Sequence, residues 1–390
     1  MCTNALLWER PVVWQRATMP AFEIASTHPG LGWAGQLEPA WRVLEGVADG
    51  SFFQGWTWLG CNAAVRFDRP FLVTAKSGTA LVGLALFNQP QRGGPLWLHE
   101  TGRAQEDAAY IEHNAPMVGV RGPERAAVIT AMLTCALKAG GVVHLAGVTD
   151  EVLQAARCTG GVVDEVRSQA ALIVHLAGLA SHEGFLNELS RNTRQQLRKA
   201  ERLYGGLTVR RAETVDEALQ YFSGLVRWHT QSWSSRGKSG AFATQSMLSF
   251  HRALIERGVG RGEVDLLRIE GSSGLAGFLY NFRSHGRVLA YQSGFVYDAI
   301  TARHKPGLSC HAAAIGWYRE RGLASYDLLA GESQYKRSLA HEQKQLHWLV
   351  LARPYHPRAW LTQVRRAQRS LELAFSLHRF AGLRDVAVGE

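Results

Sequence analysis

A mixed α/β chain built from one unit used twice is what this sequence predicts, and three observations carry the prediction. Helix-like and strand-like segments alternate along the 390 residues. Each half holds a hairpin followed by a strand, a helix and a strand. The two hairpins also share a local likeness, LVGLA at 81–85 and LAGFL at 275–279.

The elements follow in order. A helical stretch over about 39–65 precedes the hairpin FLVTAKSGTALVGLAL, whose apolar arms meet at Ser77-Gly78. PLWLHETG reads as a strand. A helix starts near Pro123, VVHLAGV is a strand, TDEVLQAARCTG a helix, and AALIVHLAG closes the half. Residues 183–204 read as one helix. Thr214 and Glu217 then have capping-box spacing for a helix running to about Trp233. VDLLRIE and LAGFLYNFRS form the second hairpin, RVLAYQSGFV follows, and PGLSCHAAAIGWYRERG is a helix. ASYDLLA and QLHWLVLA are the last strands. Pro354 and Pro357 break the chain before an amphipathic helix at about 358–379. This gives an N-terminal unit over 1–180, a C-terminal unit over 181–355 and a tail over 356–390.

Composition narrows the function classes. No apolar run reaches the length of a membrane span, and the first residues lack the basic-then-apolar order of a secretory signal, so a cytoplasmic location is expected. Five scattered cysteines without CxxC argue against a disulfide scaffold and a structural zinc site. There is no HExxH, no phosphate-loop GxxxxGK[ST], and GLSCH lacks the second glycine of a hydrolase elbow. No metal is expected. A formal charge of +10 favours anionic partners such as a cofactor's phosphates, RNA or a membrane surface. The tail helix is read as docked on the body, with peripheral membrane contact through its arginines as the other reading. No contact with DNA is expected.

One stretch asks a chemical question. In YDLLAGESQYKRSLA a buried strand runs into Gly331 and then presents Glu332, Tyr335 and Lys336. A strand end on a rigid sheet is a good platform for chemistry.

With SFFQGWTWL (51–59), TGRAQEDAAYIEHN (101–114), LSRNTRQQLRKAERL (189–203) and YQSGFVYDAITARHKPGLSCHAAAIGWYRERGL (291–323), this stretch resembles GNAT-fold acyltransferases of the FemAB-like and CelD-like type. The resemblance spans about residues 40–353. It implies two tandem GNAT-like repeats, the first degenerate and the second catalytic. It implies acyl-CoA as a co-substrate, with no tightly bound cofactor, and an amine acceptor on a small molecule or an envelope-polysaccharide precursor. In such folds the donor's pyrophosphate sits at a helix N-terminus. That points to Arg303, Lys305, Gly307, Ser309 and His311, with Gln292 and Ser293 on the strand beside the donor. The glycine pattern of the family's phosphate loop is broken, because Gly307 falls one position late after Arg303.

The Tyr335-Lys336 pair is similar to an aromatic-Lys pair of FemAB-like proteins. Glu332 is assigned as base, Tyr335 as proton donor to the leaving group, and Lys336 as partner of the oxyanion or a donor phosphate. His229, Trp233, Arg236 and Asn114 are assigned to the acceptor. Two alternatives stand beside this reading. One is an aminoacyl-tRNA-dependent transferase, with Arg191, Arg194, Arg198 and Arg202 as a basic helix face on the RNA. The other is a non-catalytic accessory protein of exopolysaccharide synthesis.

Overall fold

The computed structural model describes residues 22–179, 181–297, 305–331 and 333–362. The first half runs β1 (Glu23–Thr27), α1 (Trp33–Val47), α2 (Trp56–Arg66), the hairpin β2 (Pro70–Ser77) and β3 (Ala80–Asn88), and β4 (Leu96–Leu98). It continues with the two-residue β5 (Met117–Val118), α3 (Gly122–Gly140), β6 (Val142–Thr149), α4 (Asp150–Arg157) and β7 (Val162–His175). The second half runs α5 (His182–Glu188), α6 (Arg191–Tyr204), β8 (Thr208–Arg211), α7 (Val215–Ser234) and α8 (Gln245–Gly258). The hairpin β9 (Val264–Gly271) and β10 (Gly274–Ser284), then β11 (Arg287–Phe295), α9 (Pro306–Glu320), β12 (Ser325–Ala330), α10 (Gln334–Leu339) and β13 (Glu342–Ala352) complete it. The expected mixed α/β repeat of hairpin, strand, helix and strand is therefore present in both halves.

Local chemistry accounts for where these elements break. The stretch 39–65, read as one helix, is two, because SFFQG interrupts it and buries Phe52 and Phe53. Residues 183–204 also divide. Leu189 leaves helical geometry, and the Ser190 hydroxyl caps a new helix by accepting the Thr193 N–H at 3.2 Å. Thr214 caps α7 as its spacing predicts, accepting the Glu217 N–H at 3.2 Å. Glu217 itself turns onto the Glu213 N–H. The strands β1 and β8 and the helices α8 and α10 were not anticipated. Beyond Pro357 the chain is helical through 362, and the rest of the expected tail helix lies outside the described residues.

All the described strands join one sheet in the order β1-β2-β3-β4-β6-β13-β7-β12-β11-β10-β9-β8, with β5 beside β3. The last described strand, β13, lies between β6 and β7 of the first half, paired antiparallel to both. Strand β7 in turn pairs with β12 of the second half. The halves are thus stitched by backbone hydrogen bonds as well as by side chains. Phe52 stacks on Phe282 with ring centres 4.1 Å apart, and Trp58 meets Phe282 and Tyr291 edge-on.

Each half contains one parallel pair that opens like a V. In the first, β4 and β6 pair only at Leu96/Val143 and Trp97/His144. Beyond that point Asn114 fills the gap. Its amide reaches Leu98 O at 3.2 Å, its Oδ1 lies 2.8 Å from His99 Nδ1, and its N–H donates to Gly147 O at 3.0 Å. Only glycine permits this approach at 147, where φ is +60° and a Cβ would sit 2.2 Å from Ile111 O. In the second half, β11 and β12 pair at Arg287/Ser325, Val288/Tyr326 and Leu289/Asp327, then separate. That second V stays open.

Candidate functional site

The open V leads into a cavity of about 420 Å³. Strand β11 supplies Tyr291, Gln292 and Ser293 to its wall, and α7 supplies His229, Trp233 and Arg236. His311 of α9, the end of β12 and Tyr335 and Lys336 of α10 close the other side. The first half contributes Tyr110 and Glu112. Eight of the residues singled out in the sequence therefore meet in one place.

The polar run after Gly331 is a short helix, and that is why an aromatic and a cation sit at a strand end. Lys336 turns back, and its Nζ donates to Ala330 O at 2.9 Å. The N–H of the same residue, Ala330, donates to Glu112 Oε2 at 2.7 Å. Glu112 and Lys336 thus grip both polar groups of one residue from opposite halves of the protein. Burial raises the Glu112 carboxyl above its ordinary pKa, partly opposed by the Ala330 N–H and Lys336. Burial lowers Lys336, opposed by Glu112 and Asp327.

The strand end is re-aimed by strain. The β12–β7 register slips between Asp327 and Ala330, and Leu329 has a φ of +61°. Such a conformation costs a non-glycine residue about 1–2 kcal/mol. Asp327 holds it there, with Oδ1 accepting the Leu329 N–H at 2.7 Å. Its Oδ2 lies 2.8 Å from His113 Nε2. Burial alone would lower the His113 pKa, but Asp327, with Glu112 behind it, raises it overall. Tyr110 and His113 also have positive φ, so the loop carrying Glu112 is strained as well.

The histidines differ in what they offer. His229 Nδ1 lies 3.0 Å from Ser293 O, and Nε2 accepts the Ala241 N–H at 3.2 Å. That fixes the proton on Nδ1, and burial lowers the pKa. The ring is spent on holding α7 to β11. Gly294 allows their contact, since a Cβ there would lie 2.4 Å from Leu225 O. His311 stacks on Tyr335 with planes 11° apart and places Nδ1 2.8 Å from the Tyr326 hydroxyl. Burial, with Lys336 nearby, pushes His311 down to about 3. Its Nε2 is buried and has no hydrogen-bond partner, on a residue that lines the cavity. Burial pushes the Tyr335 phenol up to about 12, so it stays protonated.

The remaining assignments divide. Lys305 is exposed and directly precedes α9, whose first turn has no side-chain cap. Gly307 lies against Phe295 and Tyr297, where a Cβ would come 3.2 Å from the Phe295 ring. Ser309 faces the other way, into a separate groove beside α6, so the expected donor contact is corrected. Asn114 is corrected too. It is fully buried as the plug of the first V, and its neighbour Glu112 reaches the cavity instead. Glu332 and Arg303 lie outside the described residues. Sequence reasoning singled out Glu112-His113-Asn114 as a motif but gave a site role to Asn114 alone, and it missed Asp327. An acid inside the apolar strand YDLLA was the available signal for Asp327. Among the described residues, no group of three or more His, Cys, Asp or Glu side chains is placed to hold a metal.

Comparison with known proteins bears on this arrangement. Residues 187–337 match the family profile of the acetyltransferase (GNAT) domain, from α5 to just past Lys336. The crystal structure of FemX superposes with a TM-score of 0.55 at 10% identity, covering 83% of this chain and 96% of FemX. The C-terminal domain of a putative lysylphosphatidylglycerol synthetase from Agrobacterium fabrum gives 0.52 at 11% identity, covering 82% of this chain and 92% of that domain. A conserved protein of unknown function from Bacteroides thetaiotaomicron also gives 0.52 at 10% identity, covering 85% of this chain and all of that one. Comparison with curated protein sequences finds no match.

Proposed function

We propose that this chain, a GNAT-fold protein of FemAB-like build with a GNAT domain over residues 187–337, transfers an acyl group from acyl-CoA to an amine. The observation that carries the reading is the open V between β11 and β12, ending in the cavity where Glu112 and Lys336 meet. The edge of β11 released beyond Leu289 offers backbone groups to a pantetheine-like chain, beside Gln292 and Ser293. The uncapped start of α9, with Lys305, suits the donor's phosphates.

In the reaction the acceptor nitrogen bonds to the thioester carbonyl carbon, and the carbon–sulfur bond breaks. Glu112, with its raised pKa, takes a proton from the acceptor's ammonium before attack, or from the amine as it adds, the role first given to Glu332. The Lys336 ammonium faces the oxyanion and offsets its charge. Tyr335, protonated at neutral pH, gives its proton to the departing thiolate and regains one from solvent. His229, Trp233 and Arg236 shape the acceptor's side of the cavity. The test is calorimetric titration with acetyl-CoA and longer acyl-CoAs. Saturable binding weakened in Lys336→Ala supports the reading, and no binding to any acyl-CoA removes it.

A second reading rests on α6. Its inner stripe, Thr193, Leu197, Ala200 and Tyr204, is buried, and Arg191, Arg198, Lys199 and Arg202 are exposed. An RNA-borne donor would use that face, and binding of charged tRNA would then fall steeply with salt.

A further inference from the structure

A line of polar side chains runs through the core of the second half, between the sheet and α9. Asp265 of β9, Asn281 of β10 and Tyr326 of β12 lie two positions from Leu267, Leu279 and Leu328, so strand alternation puts them on the face that packs against α9. His311 and Tyr318 meet them from α9, about two helical turns apart. None of these residues is more than 3% exposed. A polar group taken out of water destabilises a fold unless it is paired, and packing alone would call for none here.

The hydrogen bonds along this line have one direction. Burial raises the Asp265 pKa, but Arg283 lies 3.8 Å from Oδ2 and Arg211 3.3 Å from Oδ1, so the carboxylate persists. A carboxylate only accepts, and the Tyr318 hydroxyl spends its hydrogen on Oδ2 at 3.0 Å. Tyr318 is then an acceptor for Asn281, whose Nδ2 donates to it at 3.1 Å. That fixes the amide's orientation and leaves its Oδ1 without a partner. Asn281 acts on the Tyr326 hydroxyl as a donor as well. The Tyr326 hydrogen therefore has one acceptor among the described residues, His311 Nδ1 at 2.8 Å. A ring nitrogen that accepts carries no hydrogen, so the neutral imidazole bears its proton on Nε2. That nitrogen is buried and unpartnered, on a ring that lines the reaction cavity and stacks on Tyr335.

We infer that Asp265 sets the tautomer of His311 through Tyr318, Asn281 and Tyr326, so that the wall of the reaction cavity carries an uncharged N–H donor for a carbonyl oxygen beside the charged Lys336. An uncharged donor adds little to the binding of phosphates, the role His311 was first given. It suits a carbonyl oxygen on which negative charge grows during attack. The tautomer follows from the chain of hydrogen bonds alone; its use on a thioester carbonyl rests on the acyl-transfer reading.

The test is nitrogen NMR of the full chain carrying isotope-labelled histidine, in which the His311 signals are those lost in His311→Gln. Long-range proton–nitrogen correlations tell a protonated ring nitrogen from a bare one. The expected result at neutral pH is a protonated Nε2 and a bare Nδ1, with the Nε2–H fraction reduced in Tyr326→Phe and in Tyr318→Phe. The second variant decides the matter. Its lost hydroxyl makes no bond to His311, and it frees the Asn281 amide to turn its oxygen toward Tyr326. Each variant removes only a hydroxyl, and circular dichroism checks the fold. Saturating acetyl-CoA should shift the Nε2 signal. In thiol release kcat/KM should fall at least about tenfold in His311→Leu and less in His311→Gln, whose amide still donates. A bare Nε2 or a charged ring in the wild type, a tautomer indifferent to Tyr318→Phe, or acetyl-CoA that binds without moving the Nε2 signal would each overturn the inference. An Nε2–H form that Tyr318→Phe disturbs, in a protein that binds no acyl-CoA, would leave the chain from Asp265 standing while the transferase reading fails.

Discussion

Glu112→Gln separates the chemistry of the site from its architecture. In the structure Glu112 Oε2 accepts the Ala330 N–H at 2.7 Å, and a glutamine oxygen can accept the same bond. The substitution therefore keeps the strand end in place, and the expected loss of stability is within about 1 kcal/mol. Glu112→Ala instead leaves the Ala330 N–H unpaired, at a further cost of about 1–3 kcal/mol. Rate behaves differently. If Glu112 is the base, glutamine removes it, and turnover falls by about 10²–10⁴. That fall corresponds to about 2.7–5.4 kcal/mol in the barrier. The sign of the pH effect follows from the raised carboxyl pKa. The base works only when deprotonated, so wild-type rate falls as pH drops through a value above the ordinary 4.5. The variant lacks that limb. The assay is thiol release from acetyl-CoA with glucosamine as acceptor, beside urea unfolding of both variants. Turnover of Glu112→Gln near wild type, with the acidic limb intact, would refute the assignment.

Other perturbations test the scaffold. Gly147→Ala sets a Cβ against Ile111 O in a left-handed conformation; it should lower stability by about 2–5 kcal/mol in thermal unfolding and displace the Glu112 loop, depressing turnover as well. His251 is fully buried with both ring nitrogens unpartnered, and burial, with Arg66 nearby, pushes its pKa from 6.5 down to about 3. Its neutral form is favoured in the folded state, so its contribution is complete above the unfolded pKa and is lost as pH falls. Between pH 7 and pH 5 it should remove about 2 kcal/mol, a loss that His251→Leu abolishes in urea unfolding at the two pH values. Asp327→Asn keeps an acceptor for the Leu329 N–H but removes the charge facing His113; the His113 imidazole should then titrate lower, as read by NMR, with the fold intact.

Much of this was legible in the sequence for definite reasons. The hairpins, α3, α9 and the paired strands follow from apolar periodicity and from Gly and Pro at their ends. Eight site residues, among them His229, Gln292, His311, Tyr335 and Lys336, were named before any geometry and do line one cavity. What stayed hidden depends on contacts distant in sequence. Asn114 and Glu112 are two positions apart in one motif, and only the filled V of the first half decides which of them faces the cavity. Ser309 and His311 share α9 but look to opposite sides, which helical spacing allows and burial settles. The placement of β13 between β6 and β7 also escapes local reading, since register between strands far apart in sequence has no local signal.

The central claim is that the split between β11 and β12 receives the donor's acyl group. The most direct measurement is photo-crosslinking with a diazirine-bearing acyl-CoA, followed by peptide mapping. The account predicts label on residues 289–297 and 329–336 and on the peptide carrying Glu112, competed away by unlabelled acyl-CoA. Competed label confined to the groove beside α6, or to the face of β4 and β6, would contradict it.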